Sequence, residues 1–198
     1  NDYQAESDQE LNKIHLFSVA GLVVSAALAI YVGLQEGMSC TLFYLLEDLP
    51  IYFAVDSLSL LFVTFISIVF VLVGIYSCVY MKHEHEEKRF FGFYLIVYGV
   101  LIGLDFAGNL VTLYLFYEFM TLTSMPFVLH NGSHESTMAS LKYLFYSMCG
   151  AYLGLFGIFV LYQYAPSLTF TAGGVMSVLS YDGNSAIMLV AIMCMLIG

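Results

Sequence analysis

The chain has no tryptophan, only three prolines, and only five lysines and arginines in 198 residues. The shortage of base excludes a polybasic face for nucleic acid or for an anionic lipid surface, because both need clustered Lys and Arg. The four cysteines (Cys40, Cys78, Cys149 and Cys194) are scattered and none forms a CxxC pair. That argues against a zinc or iron–sulfur site and leaves them as small apolar packing residues. No nucleotide-binding loop, nucleophile motif or haem motif occurs. Charge is scarce as well: Asp, Glu, Lys and Arg make up 10% of the chain, too little to clothe a water-soluble domain of this size. The formal net charge of −10 identifies no partner, since much of the acid lies in the N-terminal stretch (Asp2, Glu6, Asp8, Glu10) and in loops.

What is present is apolar. Hydrophobic residues form 61% of the chain, and with no Trp the interfacial belts fall to 16 Tyr and 17 Phe. Residues 1–13 are a polar segment, expected to be mobile. Five apolar runs follow, at about 14–34, 57–80, 90–107, 109–130 and 138–164, and a sixth begins near 186. None alternates strictly, and in lipid each backbone must close its hydrogen bonds within its own segment, so helices are expected. The fold class is therefore all-α integral membrane, with about six transmembrane helices. The last, roughly 14 residues after Asn184, is too short to cross about 30 Å of hydrocarbon. With a start at Asn1-Asp2, this suggests a fragment of a longer membrane protein. The first apolar run is too long for a signal-peptide core and lacks its basic flank.

Loop 81–89 holds Lys82, Lys88 and Arg89, three of the five basic residues, and is expected on the cytoplasmic side. Loops 35–56, 107–109 and 165–185 carry no base and belong outside. Within 40–56, "EDLP" separates two aromatic apolar segments, the pattern of a short β-hairpin. Asp56, followed by Ser57 and Ser59, reads as the N-cap of the 57–80 helix.

The chemistry centres on "LYLFYEFMTLTSMP", Leu113 to Pro126. Glu118 stands nine residues beyond Asn109, about 14 Å deep. An acid at that depth costs about 2.5–3.5 kcal/mol, which makes Glu118 a candidate proton site; a structural ion pair or a neutral hydrogen-bonded acid is the plainer alternative. Thr121 can share its face, whereas Thr121, Thr123 and Ser124 also suit ordinary back-bonding to the helix. Pro126 frees the carbonyl of Leu122. Lys142 is the one basic residue inside a spanning run, about 6 Å in from Met138 and about 12 Å axially from Glu118. It either joins Glu118 through a bridging group or snorkels to the interface. His130 and His134 stand at the inner ends of these two helices, suiting a proton relay or plain loop exposure. His83 and His85 in "KHEHEEK" imitate a metal cluster, but a solvated charged loop is the better account. No metal ligand set is expected.

Three stretches then carry a family likeness: "FAVDSLSLLFV" after the hairpin, "NLVTLYLFYEFMTLTSMPFVL", and "MASLKYLFYSMCGAYLGLFGIFVLYQY". Together they resemble the antiporter-like membrane subunits: the proton-pumping subunits of complex I (NADH dehydrogenase), the multisubunit Na⁺/H⁺ antiporter subunits and the membrane subunits of membrane-bound hydrogenases. The likeness covers about residues 14–198 as one transmembrane domain. It implies the first part of a fourteen-helix fold with inverted five-helix repeats, in a bacterial or archaeal cell membrane. It further implies that Glu118 is the family's intramembrane glutamate and that Lys142 matches a lysine common on the next helix, with another lysine on a broken helix beyond Gly198. Proton movement would follow from charge coupling between acid and lysine. Other membrane and peripheral subunits would be partners and would hold any redox centre, so no cofactor is expected on this chain. The carried ion is H⁺, with Na⁺ exchange as the alternative; a passive scaffold is the alternative from another class.

Overall fold

A computed structural model describes residues 2–46, 49–81, 87–129, 133–164, 167–171 and 185–197. The "EDLP" acids, the histidines His83 and His85, His130, and most of loop 165–185 lie outside the described residues. The described chain is mostly helical, with one two-stranded sheet, and divides into two compact units.

The first unit comprises residues 1–38 and 55–105 and holds α1 (Asp2–Gly33), α2 (Ser57–Tyr80) and α3 (Glu87–Asp105). The helix α1 begins at Asp2, so the polar segment expected as mobile continues the first span as helix. Its buried stripe is His15, Ser18, Leu22, Ala26 and Ala29, spaced by three and four as one helical face requires. On α2 the buried residues are Ser59, Val63, Ser67, Gly74 and Ser77, while Leu61, Phe65 and Leu72 stand exposed. Small and polar inside with large apolar side chains outside is the reverse of a water-soluble helix. It is stable where the surroundings are hydrocarbon and close backbone approach supplies the cohesion. Gly74 shows the approach directly, for a Cβ there would lie 2.8 Å from the Leu22 Cδ2. Between α2 and α3, Ser67 Oγ and Tyr98 Oη are 2.7 Å apart and the Tyr94 hydroxyl donates to the Phe70 carbonyl at 2.7 Å. Between α1 and α3, buried His15 and Glu87 meet at 2.5 Å, with the Phe91 ring 5.4 Å from the imidazole.

Asp56 caps α2 as the sequence predicts. Its Oδ1 accepts from the Ser59 amide at 2.7 Å, and the Ser59 Oγ accepts from the Asp56 amide at 2.8 Å, a reciprocal capping box. The Ser59 hydroxyl, which also donates to this carboxylate, holds the Asp56 carboxyl below its ordinary 3.8, helped by the Ser59 amide. A depressed carboxyl stabilises the fold above that ordinary value and loses the contribution as pH falls through the lowered one. Asp56→Ala is therefore expected to cost about 1 kcal/mol near neutrality. The difference from wild type should shrink as pH falls below the ordinary carboxylate value and through the lowered one, read at neutral and acidic pH by thermal unfolding of the detergent-solubilised protein.

The second unit comprises residues 39–54 and 106–198. Its strands β1 (Ser39–Leu46) and β2 (Leu49–Ala54) pair antiparallel from Ser39↔Ala54 to Leu46↔Leu49, the hairpin expected within 40–56. Residues 106–108 extend the pairing: Ala54 N–H donates to the Phe106 carbonyl and Gly108 N–H to the Tyr52 carbonyl, both at 2.9 Å. A Cβ at Gly108 would lie 2.5 Å from the Tyr52 ring, so glycine is what fits there. The helices are α4 (Leu110–Val128), α5 (His134–Tyr164) and α6 (Ser185–Ile197), α4 packing on α5 and α5 on α6.

Among the described residues, three stretches are long and apolar enough to cross a membrane: Asn12–Gly33, Ser57–Tyr80 and His134–Gln163. This is fewer than the five complete spans expected. The helix α3 has the length but opens on Glu87, Lys88 and Arg89 and closes on Asp105, and α4 dilutes its apolar content with Glu118, two Tyr, three Thr and Ser124. The apolar part of α6, Ile187–Ile197, is shorter than a span.

Candidate functional site

The position of Glu118 is set by how α4 begins. Asn109 is the N-cap: its Oδ1 accepts from the Thr112 amide at 2.7 Å, and its Nδ2 donates to the Pro50 carbonyl at 2.7 Å. The Thr112 Oγ1 in turn accepts from the Tyr52 amide at 2.9 Å. Both side chains are buried, so the first turn of α4 is bolted to β2, reinforced by an edge-on contact of Phe53 with Phe116 at 5.4 Å. Glu118 then falls about 14 Å along the helix from this anchor.

One carboxylate oxygen of Glu118, Oε1, is buried and has no hydrogen-bond partner. Among the described residues it shares that condition with Asp105 Oδ2 alone. The Tyr114 hydroxyl, one turn earlier on α4, interacts with the Glu118 carboxylate, and Tyr117 and Tyr152 lie close to that phenol. Tyr114 and Tyr117 also line a cavity of about 240 Å³ bounded by Gly154 and Ile158 of α5 and Met195 of α6. Gly157 leaves room for the close α5–α6 packing, against the Ala191 carbonyl and the Met195 side chain.

On the other side of Glu118, toward Val128, hydroxyl groups join α4 to α5. Thr121 Oγ1 lies 3.3 Å from Ser147 Oγ, and Ser124 Oγ lies 2.9 Å from Tyr143 Oη. Back-bonding is present as well: the Thr123 hydroxyl donates to the Phe119 carbonyl at 2.7 Å and the Ser124 hydroxyl to the Thr121 carbonyl at 3.0 Å. The two cross-helix pairs fix an antiparallel register, in which three residues forward on α4 match four residues back on α5. Extended by one turn, that register sets Glu118 level with residues near 150. Lys142 is then displaced from it by about 12 Å, so no direct ion pair joins the two. Lys142 is exposed. The helix α5 begins at His134, four residues before the expected start, because Ser133 accepts from the Ser136 amide at 3.1 Å and starts the helix on polar residues. Lys142 is therefore about 12 Å from the start of its helix rather than 6 Å.

Of the other expected residues, Thr121 is buried three residues beyond Glu118, and its hydroxyl meets the Tyr117 carbonyl at 3.4 Å and the Ser147 hydroxyl at 3.3 Å. His134 is exposed at the first residue of α5, about 12 Å from Lys142, and His130 lies outside the described residues. Sequence reasoning missed Tyr114, although its i−4 spacing to Glu118 is the signal that finds it. Ser147 and Tyr143 carry no such signal, because their role depends on the register between two helices.

Comparison with known proteins gives consistent results. Residues 47–91 match a family model described as NADH-Ubiquinone oxidoreductase (complex I), chain 5 N-terminus. Residues 107–198 match one described as NADH:quinone oxidoreductase/Mrp antiporter, TM. The chain is 30% identical over 151 residues, 75% of its length, to a Staphylococcus aureus (strain MRSA252) protein named antiporter subunit mnhD2, and spans 30% of that relative. It is 30% identical over 146 residues, 73% of its length, to a Na(+)/H(+) antiporter subunit of Alkalihalophilus pseudofirmus (strain ATCC BAA-2126 / JCM 17055 / OF4), and spans 18% of it. Among solved structures it resembles a chain of the membrane-bound sulfane sulfur reductase, an archaeal respiratory membrane complex, with a TM-score of 0.63. That likeness covers 94% of this chain and 42% of the other at 15% identity, and speaks to the fold alone.

Proposed function

We propose that this integral membrane chain, which belongs to the antiporter-like membrane subunit family of the Mrp antiporters and complex I, moves protons through a charge relay centred on Glu118. The observation that carries the reading is the buried Glu118 oxygen without a partner. A buried carboxylate oxygen with no protein partner is costly to keep, and taking up and releasing a proton is a role that uses it. The acid also sits between a cavity on one side and a hydroxyl-lined helix contact leading toward Lys142 on the other. Glu118 is the proton-binding group in this reading, and Lys142 the basic residue coupled to it. Thr121, His130 and His134 are relay candidates. Lys142 acts on Glu118 through intervening groups, because a separation of about 12 Å excludes contact.

The wider context belongs to the same proposal. Residues 14–198 are one transmembrane domain of about six helices within a larger inverted-repeat fold. Loop 81–89 faces the cytoplasm, and other subunits complete the complex and hold any redox centre. A second reading, Na⁺/H⁺ exchange without redox coupling, is favoured by the likeness to the Alkalihalophilus pseudofirmus protein. Both readings need Glu118, and the test of that shared core is dye-reported proton movement in membrane vesicles bearing the full complex with Glu118→Gln. Unchanged movement per assembled complex would leave Glu118 a structural residue. Dependence of the wild-type signal on added NaCl then separates exchange from redox-driven pumping.

A further inference from the structure

We propose that Thr121, Ser147, Ser124 and Tyr143 form a hydroxyl ladder that carries the proton along the α4–α5 contact between Glu118 and Lys142. The inference rests on the reading of Glu118 as the proton site and supplies what that reading lacks, a means of crossing the axial gap of about 12 Å. The rungs are observed: Thr121 with Ser147 at 3.3 Å, and Ser124 with Tyr143 at 2.9 Å. Their spacing is regular. Glu118, Thr121 and Ser124 follow one another at three-residue intervals, a rise of about 4.5 Å each. Tyr143 adjoins Lys142 in sequence, so the second rung ends at the level of the lysine. A step of about 4.5 Å exceeds one hydrogen bond but is within reach of one bridging water, whose two bonds of about 2.8 Å span it.

The chemistry suits the residue types. A hydroxyl both donates and accepts, so each rung takes a proton on its oxygen as it releases its own and is neutral before and after. Over the whole transfer one O–H bond breaks at the Glu118 carboxyl and one N–H bond forms at the Lys142 nitrogen, which takes the proton after giving one of its own to the water it faces, and nothing is oxidised or reduced. Among the described residues of α4 and α5, the titratable charged groups are Glu118 and Lys142, with His134 and Glu135 in the first turn of α5 beyond the second rung. Back-bonding explains why α4 tolerates Thr123. It does not explain why two hydroxyls of α4 each meet a hydroxyl on the facing helix.

The experiment uses the full complex in membrane vesicles and deletes oxygen atoms while keeping side-chain volume. The variants are Thr121→Val with Ser147→Ala, and Ser124→Ala with Tyr143→Phe. Each double variant is expected to slow dye-reported proton movement about 100-fold or more, the low side of what a positioned proton-transfer group contributes. The melting temperature of the complex should stay at the wild-type value, and the conservative pair Thr121→Ser with Ser147→Thr should restore the rate to within about twofold. Wild-type rates in both oxygen-deleted variants would overturn the ladder. So would a loss of rate that merely tracks a loss of assembled complex, because that is what a packing role produces. Glu118→Gln in parallel separates the two levels. If it abolishes movement while the ladder variants do not, the ladder fails alone; if it too is without effect, the reading of Glu118 fails beneath it.

Discussion

Proton movement by the intact complex is expected to fall about 100-fold or more when Glu118 becomes glutamine, while the chain still folds and assembles. Gln keeps the length and nearly the volume of Glu, and its amide can still face Tyr114, so the α4–α5 packing has no reason to change. What it loses is the exchangeable proton, and a positioned proton-transfer group contributes about 10²–10⁴-fold. The substitution also removes the cost of holding a carboxylate at membrane depth, about 2.5–3.5 kcal/mol if ionised, so the thermal stability of the protein is expected to hold or rise. A structural acid predicts the opposite pair of results, normal movement per assembled complex and reduced assembly. Measuring both quantities on one preparation therefore decides between transport and scaffold. Glu118→Asp sharpens the result: it keeps the acid but retracts it by one methylene, and should recover part of the rate.

The largest stability effect is expected at the other buried acid contact. His15 and Glu87 lie 72 residues apart in sequence and meet at 2.5 Å, both buried. Together they join α1 to α3 in the first unit. Removing one partner strands the other's hydrogen-bonding group in a poorly solvated place, for which about 1–3 kcal/mol is typical. Either His15→Ala or Glu87→Ala should therefore lower the unfolding free energy of the full-length protein by about that amount. The double replacement His15→Leu with Glu87→Met should recover much of it, since replacing both partners of a buried hydrogen bond by apolar groups of similar shape is nearly neutral. Single variants within about 0.5 kcal/mol of wild type would show that water or another group already serves the remaining partner. Neither residue enters the proposed relay, so proton movement per folded complex should be unchanged in the double variant.

Several elements could be read from the chain because their causes are local. Asp56 and Ser59 sit three residues apart and cap α2 by themselves. The hairpin follows from two aromatic apolar segments around a polar turn. Glu118 is conspicuous because an acid in an apolar run is costly wherever that run ends up. The errors also have local causes, in polar residues that an apolarity argument passes over. Ser133 starts α5 four residues early, and α1 extends back to Asp2 through residues too polar to belong to a span. Tyr114 stands at i−4 from Glu118, a spacing as legible as that of Thr121 at i+3, but its phenol reads as one more belt aromatic until the carboxylate is placed beside it.

By itself, then, the sequence determined that the chain is helical and lives in a membrane, that one acid stands nine residues into an apolar run, and that hydroxyls follow it on the same helix. Those properties depend on composition and on a fixed rise per residue, which neighbouring helices do not alter. Only the tertiary structure decided which groups meet. It paired Thr121 with Ser147 and Ser124 with Tyr143, brought His15 to Glu87 across 72 residues, and left Glu118 Oε1 unpartnered. The physical reason is register. A helix announces what it carries on each face, but the level at which a second helix slides against it is set by packing along the whole contact, where a shift of one residue exchanges every partner.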